Sequence, residues 1–242
     1  MTQPTNAKGR PFSWSFSRWN DFENCPAKYA AASFYCTLPY VQSPEAEWGD
    51  RVHKAAEMFL KGIPHKDIEA LKPVEAYCTK MLRSGCRIEA EKEVVLNKDL
   101  KPVKEGPKTW FSKNAWLRVK IDVALEKSNK INSLFDFKTG RTIKYDTEQL
   151  ELNALALGVL RPQVEVFEGR YIWTQHKQVT PIGQPMIVKR EDVSLLWEKW
   201  LERVYRMEQA WRLEKFPERP SGLCGWCNVG NCKSRKRPFI GG

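Results

Sequence analysis

The segment Ser133-Leu134-Phe135-Asp136-Phe137-Lys138-Thr139-Gly140 places an acid and a lysine two residues apart, at the end of an apolar run that a glycine stops. Side chains of a strand alternate with period two, so Asp136 and Lys138 share a face. A carboxylate in that position can hold a metal ion, and the lysine can hold or deprotonate a water beside it. Leu134, Phe135 and Phe137 suit a strand with at least one buried side. The spacing alone specifies little, because a solvated strand edge produces it too. Asp99-Leu100-Lys101 has the same spacing, but lies among Lys, Pro and Gly and reads as a loop.

The preceding stretch adds a second acid. Over residues 117–125, Leu117, Val119, Ile121, Val123 and Leu125 alternate with Arg118, Lys120, Asp122 and Ala124, which predicts one face for each set. Ser128-Asn129-Lys130 is turn material and Ile131 restarts the apolar run, so the two strands form an antiparallel hairpin. A turn centred on Asn129 sets Asp122 opposite Asp136, with Cβ atoms roughly 4.5–5.5 Å apart. Carboxylates that close repel unless a cation lies between them. The alternative is that Asp122 faces water and pairs with Lys120 or Lys138.

Other elements must carry this hairpin. Ser15 or Ser17 can cap a helix bearing Trp19 and Phe22, which Pro26 interrupts before residues 27–34 resume it. Ser43-Pro44-Glu45 starts a helix with Trp48, Val52, Ala55, Ala56, Phe59 and Leu60 at helical spacing, ended by Gly62. On it His53 and Glu57 lie one turn apart. A helix is predicted over 73–82 and a strand over 89–96, followed by a charged loop to residue 108. A helix over 147–158 includes Gln149. Strands are predicted over 164–167 and 170–173, on either side of Glu168-Gly169. A long helix over 190–213 carries Val193, Leu196, Trp197, Trp200, Leu201, Val204, Tyr205, Met207 and Trp211 as core packing. Strands separated by helices predict an α/β core with a mixed sheet.

The whole chain bounds the function class. It has 242 residues, 42% of them hydrophobic, enough for a substantial core. Lys and Arg number 40 against 29 Asp and Glu, a net charge of +11, which favours a polyanionic partner, nucleic acid before a membrane surface. Ten tryptophans agree with that, since indoles stack on unpaired bases, although most are expected in the core. Residues 1–11 read as a flexible polar tail with no secretory signal. The most apolar window, residues 150–160, is too short to span a bilayer. The expectation is an intracellular, cytoplasmic protein, in the host cytoplasm if phage-encoded. Seven cysteines, an odd number, argue against a disulfide framework. Cys224, Cys227 and Cys232 are spaced as metal ligands, followed by the basic run Lys233-Ser234-Arg235-Lys236-Arg237. No histidine is near them, so a fourth ligand must come from far away.

Asp122, then Asp136-x-Lys138-Thr139-Gly140, then Gln149 in a helix, resemble the nuclease core of the PD-(D/E)XK superfamily. The likeness is to its RecB-like branch, which includes AddB-type nuclease domains and CRISPR-associated iron–sulfur exonucleases. Gly49-Asp50-Arg51-Val52-His53 is similar to that branch's Gly-x-x-x-His segment, in which the imidazole completes the metal site. Ser15 through Cys25-Pro26-Ala27-Lys28-Tyr29 is similar to its opening, in which the cysteine is the first cluster ligand. The resemblance implies a restriction-endonuclease-like α/β core over 12–223, with a mixed sheet flanked by helices. The cysteine segment and basic tail, 224–242, would pack on it. Both ends of the chain would be joined at a [4Fe–4S] cluster held by Cys25, Cys224, Cys227 and Cys232. Cys36, Cys78 and Cys86 are left over. Gln149 would lie near the scissile phosphate. One position departs from the family pattern: Asn153 stands where the helix of Gln149 has a tyrosine. Glu91 and Glu93 resemble an acid with a weaker role in the family and are placed outside the site.

The implied function is metal-dependent DNA exonuclease, on single strands or free ends, in recombination, repair or end processing. Asp122, Asp136, the Phe137 carbonyl and His53 would hold Mg²⁺ or Mn²⁺, the imidazole favouring Mn²⁺. Lys138 would orient the attacking water or stabilise the developing charge. Two other classes fit the same residues. A structure-selective endonuclease on this core would cut closed single-stranded circles. A non-catalytic nucleic-acid-binding protein with a zinc knuckle would bind without cutting and contain zinc.

Overall fold

The computed structural model describes residues 3–39, 41–104 and 106–235. Lys236 and Arg237, the end of the basic run, lie outside the described residues. Ser15 caps α1 (Phe16–Asn24), accepting the Arg18 N–H, and Cys25 ends it. Pro26, whose missing N–H costs nothing in a first turn, opens α2 (Pro26–Tyr29), continued by a π-helical turn over Ala30–Phe34. Ser43, Pro44, Glu45 and Glu47 start α3 (Pro44–Leu60) by capping and charge. Short α4 (Ile68–Leu71), which the pattern did not predict, and α5 (Glu75–Arg83) follow.

Next come β1 (Arg87–Leu96), β2 (Leu117–Glu126), β3 (Ile131–Lys138), α6 (Glu148–Leu160) and β4 (Val166–Trp173). After them lie β5 (Gln178–Thr180), β6 (Met186–Lys189) and α7 (Val193–Leu213). The sheet runs β1-β2-β3-β4, antiparallel except for β3–β4, which α6 connects as a parallel crossover. Both β5 and β6 pair with β4, at its two ends. One sheet face packs on α1, α6 and α7 around Trp200, Leu155 and Phe167. The other packs on α3, α4 and α5 around Val52, Ala55 and Cys78. The result is a mixed sheet between helical layers, as the sequence predicted. Among the described residues no helix is long and apolar enough to cross a membrane.

Four expectations need correction. First, Leu117, Val119 and Ile121 pack on the α6–α7 face, but Val123 and Leu125 pack on the α3 face. The same switch in β1 separates Ala90 from Val94 and Leu96. The register is unbroken, Ala90 opposite Val123 and Lys92 opposite Ile121, so both strands turn over together at Glu91 and Asp122. Glu91 makes that turn with a left-handed φ of 55°. A non-glycine residue held there costs on the order of 1–3 kcal/mol, and such strain concentrates at functional sites.

Second, the two strands foreseen around Glu168-Gly169 are one strand, β4. Gly169 lies inside it because a Cβ there would stand 2.5 Å from Met186 Cε and 3.0 Å from Leu150 Cβ. The methionine end can swing aside, whereas Leu150 Cβ is fixed to α6. Gly169→Ala is therefore expected to lose about 1–2 kcal/mol, overpacking outweighing the entropy gained in the unfolded chain. A urea midpoint equal to or above wild type would contradict this.

Third, Leu201 and Tyr205 of α7 face outward, while Trp197, Trp200, Val204, Met207 and Trp211 are buried. Of the ten tryptophans, seven are buried. Fourth, the segment expected as a loose tail is tied down over 3–11. Asn6 is buried, its amide donates to Ser33 O, and its side-chain oxygen accepts the N–H groups of Lys8 and Arg10.

Candidate active site

The site forms where β2 and β3 part. Their ladder ends at Val123 opposite Phe135. The next step would oppose Asp122 and Asp136, and there a side chain replaces the ladder: an Asp122 carboxylate oxygen accepts the Phe137 N–H at 2.7 Å. Beyond the fork, β2 pairs instead with the chain at Trp14, whose N–H donates to Trp116 O and whose carbonyl accepts from Arg118. Lys138 O accepts from Thr174, so the peptide groups of Lys138 face β4. By alternation, the N–H and C=O of Phe137 both face the fork.

One side of the fork gathers His53, Glu91 and Asp122, whose ligand atoms lie within 4.8 Å of one another. His53 Nδ1 is 3.3 Å from Asp122 Oδ2 and 3.7 Å from Glu91 Oε1. Lys120 forms an ion pair with Glu91. Burial presses the His53 pKa down, but Asp122, Glu91 and Asp136 together raise it to about 11. The imidazolium thus supplies the positive charge the acids require when no cation is bound. Gly49, one turn earlier on α3, lets the helix come close to the end of β3, since a Cβ there would stand 3.1 Å from Thr139 Oγ1. That approach brings the His53 ring edge-on to Phe137, with centroids 6.2 Å apart.

The other side holds Asp136, Lys138 and Gln149. Asp136 is 2% exposed. Gln149 Nε2 donates to Asp136 Oδ1 at 2.7 Å, and Lys138 Nζ donates to Gln149 Oε1 at 2.6 Å. Lys138 Nζ also stands 2.7 Å from Asp136 Oδ2, yet that buried oxygen has no aligned hydrogen-bond donor. Burial raises the Asp136 pKa to about 6 despite Lys138, and the Asp122 charge adds to the rise. Tyr171 lies under the ammonium, its ring centre 4.9 Å from Nζ.

The predicted residues Asp122, Asp136, Phe137, Lys138, Gln149 and His53 therefore converge on one fork. Glu91, which sequence reasoning placed outside, belongs with them, and Tyr171 was not foreseen. Asn153, at the tyrosine position, is buried in α6. Glu57 is taken up by Lys54 and Lys61, and His176 contacts Arg141 O. The buried Asp136 carboxylate, with one oxygen held by no partner other than the Lys138 ammonium, beside two further carboxylates and an imidazole, is a donor set that suits Mg²⁺ or Mn²⁺.

A second convergence lies at the chain ends. Cys25, Cys224, Cys227 and Cys232 line one small cavity with Lys28, Arg219 and Arg235. Cys224 Sγ accepts the Ser221 N–H at 3.2 Å. Ala27 N donates to Pro217 O, Trp211 Nε1 donates to Tyr29 Oη, and Arg219 donates to Glu23 O, so the two termini are already joined. None of Cys36, Cys78 and Cys86 lines this cavity. Cys78 is buried among α3–α5, and burial pushes its thiol up to about 12.

The family model for the PD-(D/E)XK nuclease superfamily matches residues 13–232. Among solved structures, the crystal structure of SSO0001 is similar at 17% identity with a TM-score of 0.46, covering 92% of this chain and 86% of that chain. No curated protein matches the sequence.

Proposed function

The chain belongs to the PD-(D/E)XK nuclease superfamily, and from that premise we propose that it is a metal-dependent DNA exonuclease of the RecB-like kind with a [4Fe–4S] clamp. The observation that carries the proposal is the fork itself. The Asp122 carboxylate is anchored on the Phe137 N–H, and Asp136, Lys138 and Gln149 are locked to one another beside it. Asp122, Asp136, Glu91, His53 and the Phe137 carbonyl would hold Mg²⁺ or Mn²⁺. When bound, such an ion polarises a phosphoryl oxygen and lowers the pKa of a water.

The chain's own groups do the remaining work. Gln149 fixes the Lys138 ammonium and one oxygen of Asp136 by two hydrogen bonds, so neither has to reorganise as charge develops. Lys138 then sits where it orients the attacking water and meets the negative charge growing on the phosphorus oxygens. Tyr171 holds the ammonium from below. The exonuclease assignment and the preference for free ends or single strands rest on the resemblance carried by Cys25-Pro26, Gly49-x-x-x-His53 and the C-terminal cysteines.

For the cysteines, a single Zn²⁺ requires sulfurs at a tetrahedron edge of roughly 3.8 Å, from Zn–S bonds of about 2.3 Å. The four thiols line one small cavity with Lys28, Glu218, Arg219 and Arg235, and metal analysis of the anaerobically purified protein distinguishes a cluster there from such a zinc.

The test uses end-labelled linear DNA and closed single-stranded circles in Mn²⁺. Linear DNA is expected to be degraded from its ends and circles spared. Cut circles would instead establish an endonuclease, and binding without cleavage a non-catalytic protein. In the same assay His53→Ala and Glu91→Gln are each expected to raise the Mn²⁺ needed for half-maximal rate, on the order of 10–100-fold. An unchanged metal requirement would remove that residue from the ligand set.

A further inference from the structure

Away from the metal fork, a cavity of about 700 Å³ opens between the N-terminal segment, the start of β2 and the turn Gly106–Phe111. Among the described residues four cations line it, Arg10, Arg18, Lys113 and Arg118, and no acid does. Arg18 and Arg118 converge on one hydroxyl: each donates through Nη1 to Ser13 Oγ. Arg118 Nε is held by Trp110 O at 2.6 Å, which fixes the direction of its guanidinium. Two like charges brought together over a half-buried floor repel, and burial and Arg18 together lower the Arg118 pKa. Such a pair is stabilised by an anion placed between its free N–H groups, most of all one that accepts from planar forks.

Two further features point to the same ligand. The cavity includes Ser15 and Arg18 at the start of α1, where unpaired N–H groups and the helix dipole favour a phosphate. On the rim Phe111 is 81% exposed beside Trp110, an arrangement suited to stacking on an unpaired base.

The position relative to the fork is set by β2. Arg118, Lys120 and Asp122 share a face up to the point where the strand turns over, and Arg118 lies about 13 Å from Asp122 at 3.3 Å per residue. A strand whose scissile phosphate sits at the fork can place another phosphate, a few nucleotides away, over the arginine pair. We propose that the Ser13–Arg18–Arg118 cavity binds a backbone phosphate of single-stranded DNA, with Phe111 stacking on the adjoining base, so that the substrate is gripped a few nucleotides from the cut. This rests on the nuclease reading above and extends it.

Fluorescence anisotropy of a short labelled oligodeoxythymidine, in EDTA so that nothing is cut, reads this site without catalysis. Arg18 and Phe111 are exposed, so Arg18→Gln and Phe111→Ala are expected to fold. Each should weaken binding roughly tenfold, and Arg18→Gln should also reduce the slope of log affinity against log salt by about one. Arg118→Lys, which keeps the charge and loses the fork, should weaken binding as well. Wild-type affinity and slope in Arg18→Gln would overturn the site. Displacement of the oligonucleotide by low-millimolar inorganic phosphate would assign the cavity to free phosphate and overturn the strand assignment. If wild type binds with this arginine dependence but never cuts in Mn²⁺, the nuclease reading fails and this site stands.

Discussion

Asp136→Asn is expected to lower DNA cleavage by roughly 10³-fold or more, while DNA affinity in EDTA stays close to wild type. The magnitude follows from what the carboxylate does. It is buried, it is one of the acids that would hold the catalytic ion, and the charge stabilisation such an ion supplies amounts to several kcal/mol. An asparagine keeps the shape and can still meet Gln149, so the fold should survive. Relief of burial makes the neutral side chain easier to accommodate than the ion, because the carboxyl pKa already stands near 6. The variant should therefore be at least as stable as wild type without metal, and less stabilised by added Mn²⁺. Lys138→Ala should cost on the order of 10²–10³-fold in rate, the scale for removing one preorganised charge donor, without releasing the metal. Rates measured on end-labelled DNA at saturating Mn²⁺, with anisotropy for binding, separate the two roles. An Asp136→Asn protein that cuts at the wild-type rate would sink the assignment.

The residues of this site were legible in the sequence to different degrees, for physical reasons. Asp136, Lys138 and Asp122 stand in a hairpin whose period and turn residues are local signals, and the register they predict is the one observed up to the fork. Gln149 and His53 came from resemblance, because nothing in a single helix tells which strand end it will face. Glu91 was left outside because the resemblance gives its acid a weaker role, and the left-handed φ and the turnover of β1 and β2 that bring it to the fork cannot be read from residue types. The same turnover defeated the expectation that Leu117 through Leu125 share one face. Tyr171 reaches Lys138 only through the parallel β3–β4 pairing, a contact made across a crossover helix. Gly169 was read as a break because glycine usually is one. Here the missing Cβ makes room for Met186 and Leu150, a demand set by packing rather than by turn chemistry. Strands as short as β5 and β6 carry too few residues for a period to show.

Cys25→Ala is expected to lose colour and stability together. Cys25 lies 199 residues before Cys224, and the structure brings both to one cavity with Cys227 and Cys232. A covalent link across so long a loop removes much entropy from the unfolded chain. By analogy with a disulfide closing that loop, the chain-entropy model gives about 5 kcal/mol. In a chain of this length that corresponds to a fall in melting temperature of roughly 10–20 °C. The native contacts across the same junction, Tyr29 with Trp211 and Ala27 with Pro217, remain in the variant. It should therefore stay folded at room temperature and still bind DNA, with the loss appearing on heating. Anaerobically purified wild type should be brown and contain about four irons per chain, the count of the cubane cluster. Cys78→Ala gives the control: that thiol is buried on the opposite face of the sheet, so its loss costs packing but keeps the colour. Metal analysis beside thermal denaturation decides the matter. A colourless wild type with one tightly bound zinc, or a Cys25→Ala variant that keeps its colour and its melting temperature, would refute the assignment of these four cysteines to a [4Fe–4S] cluster.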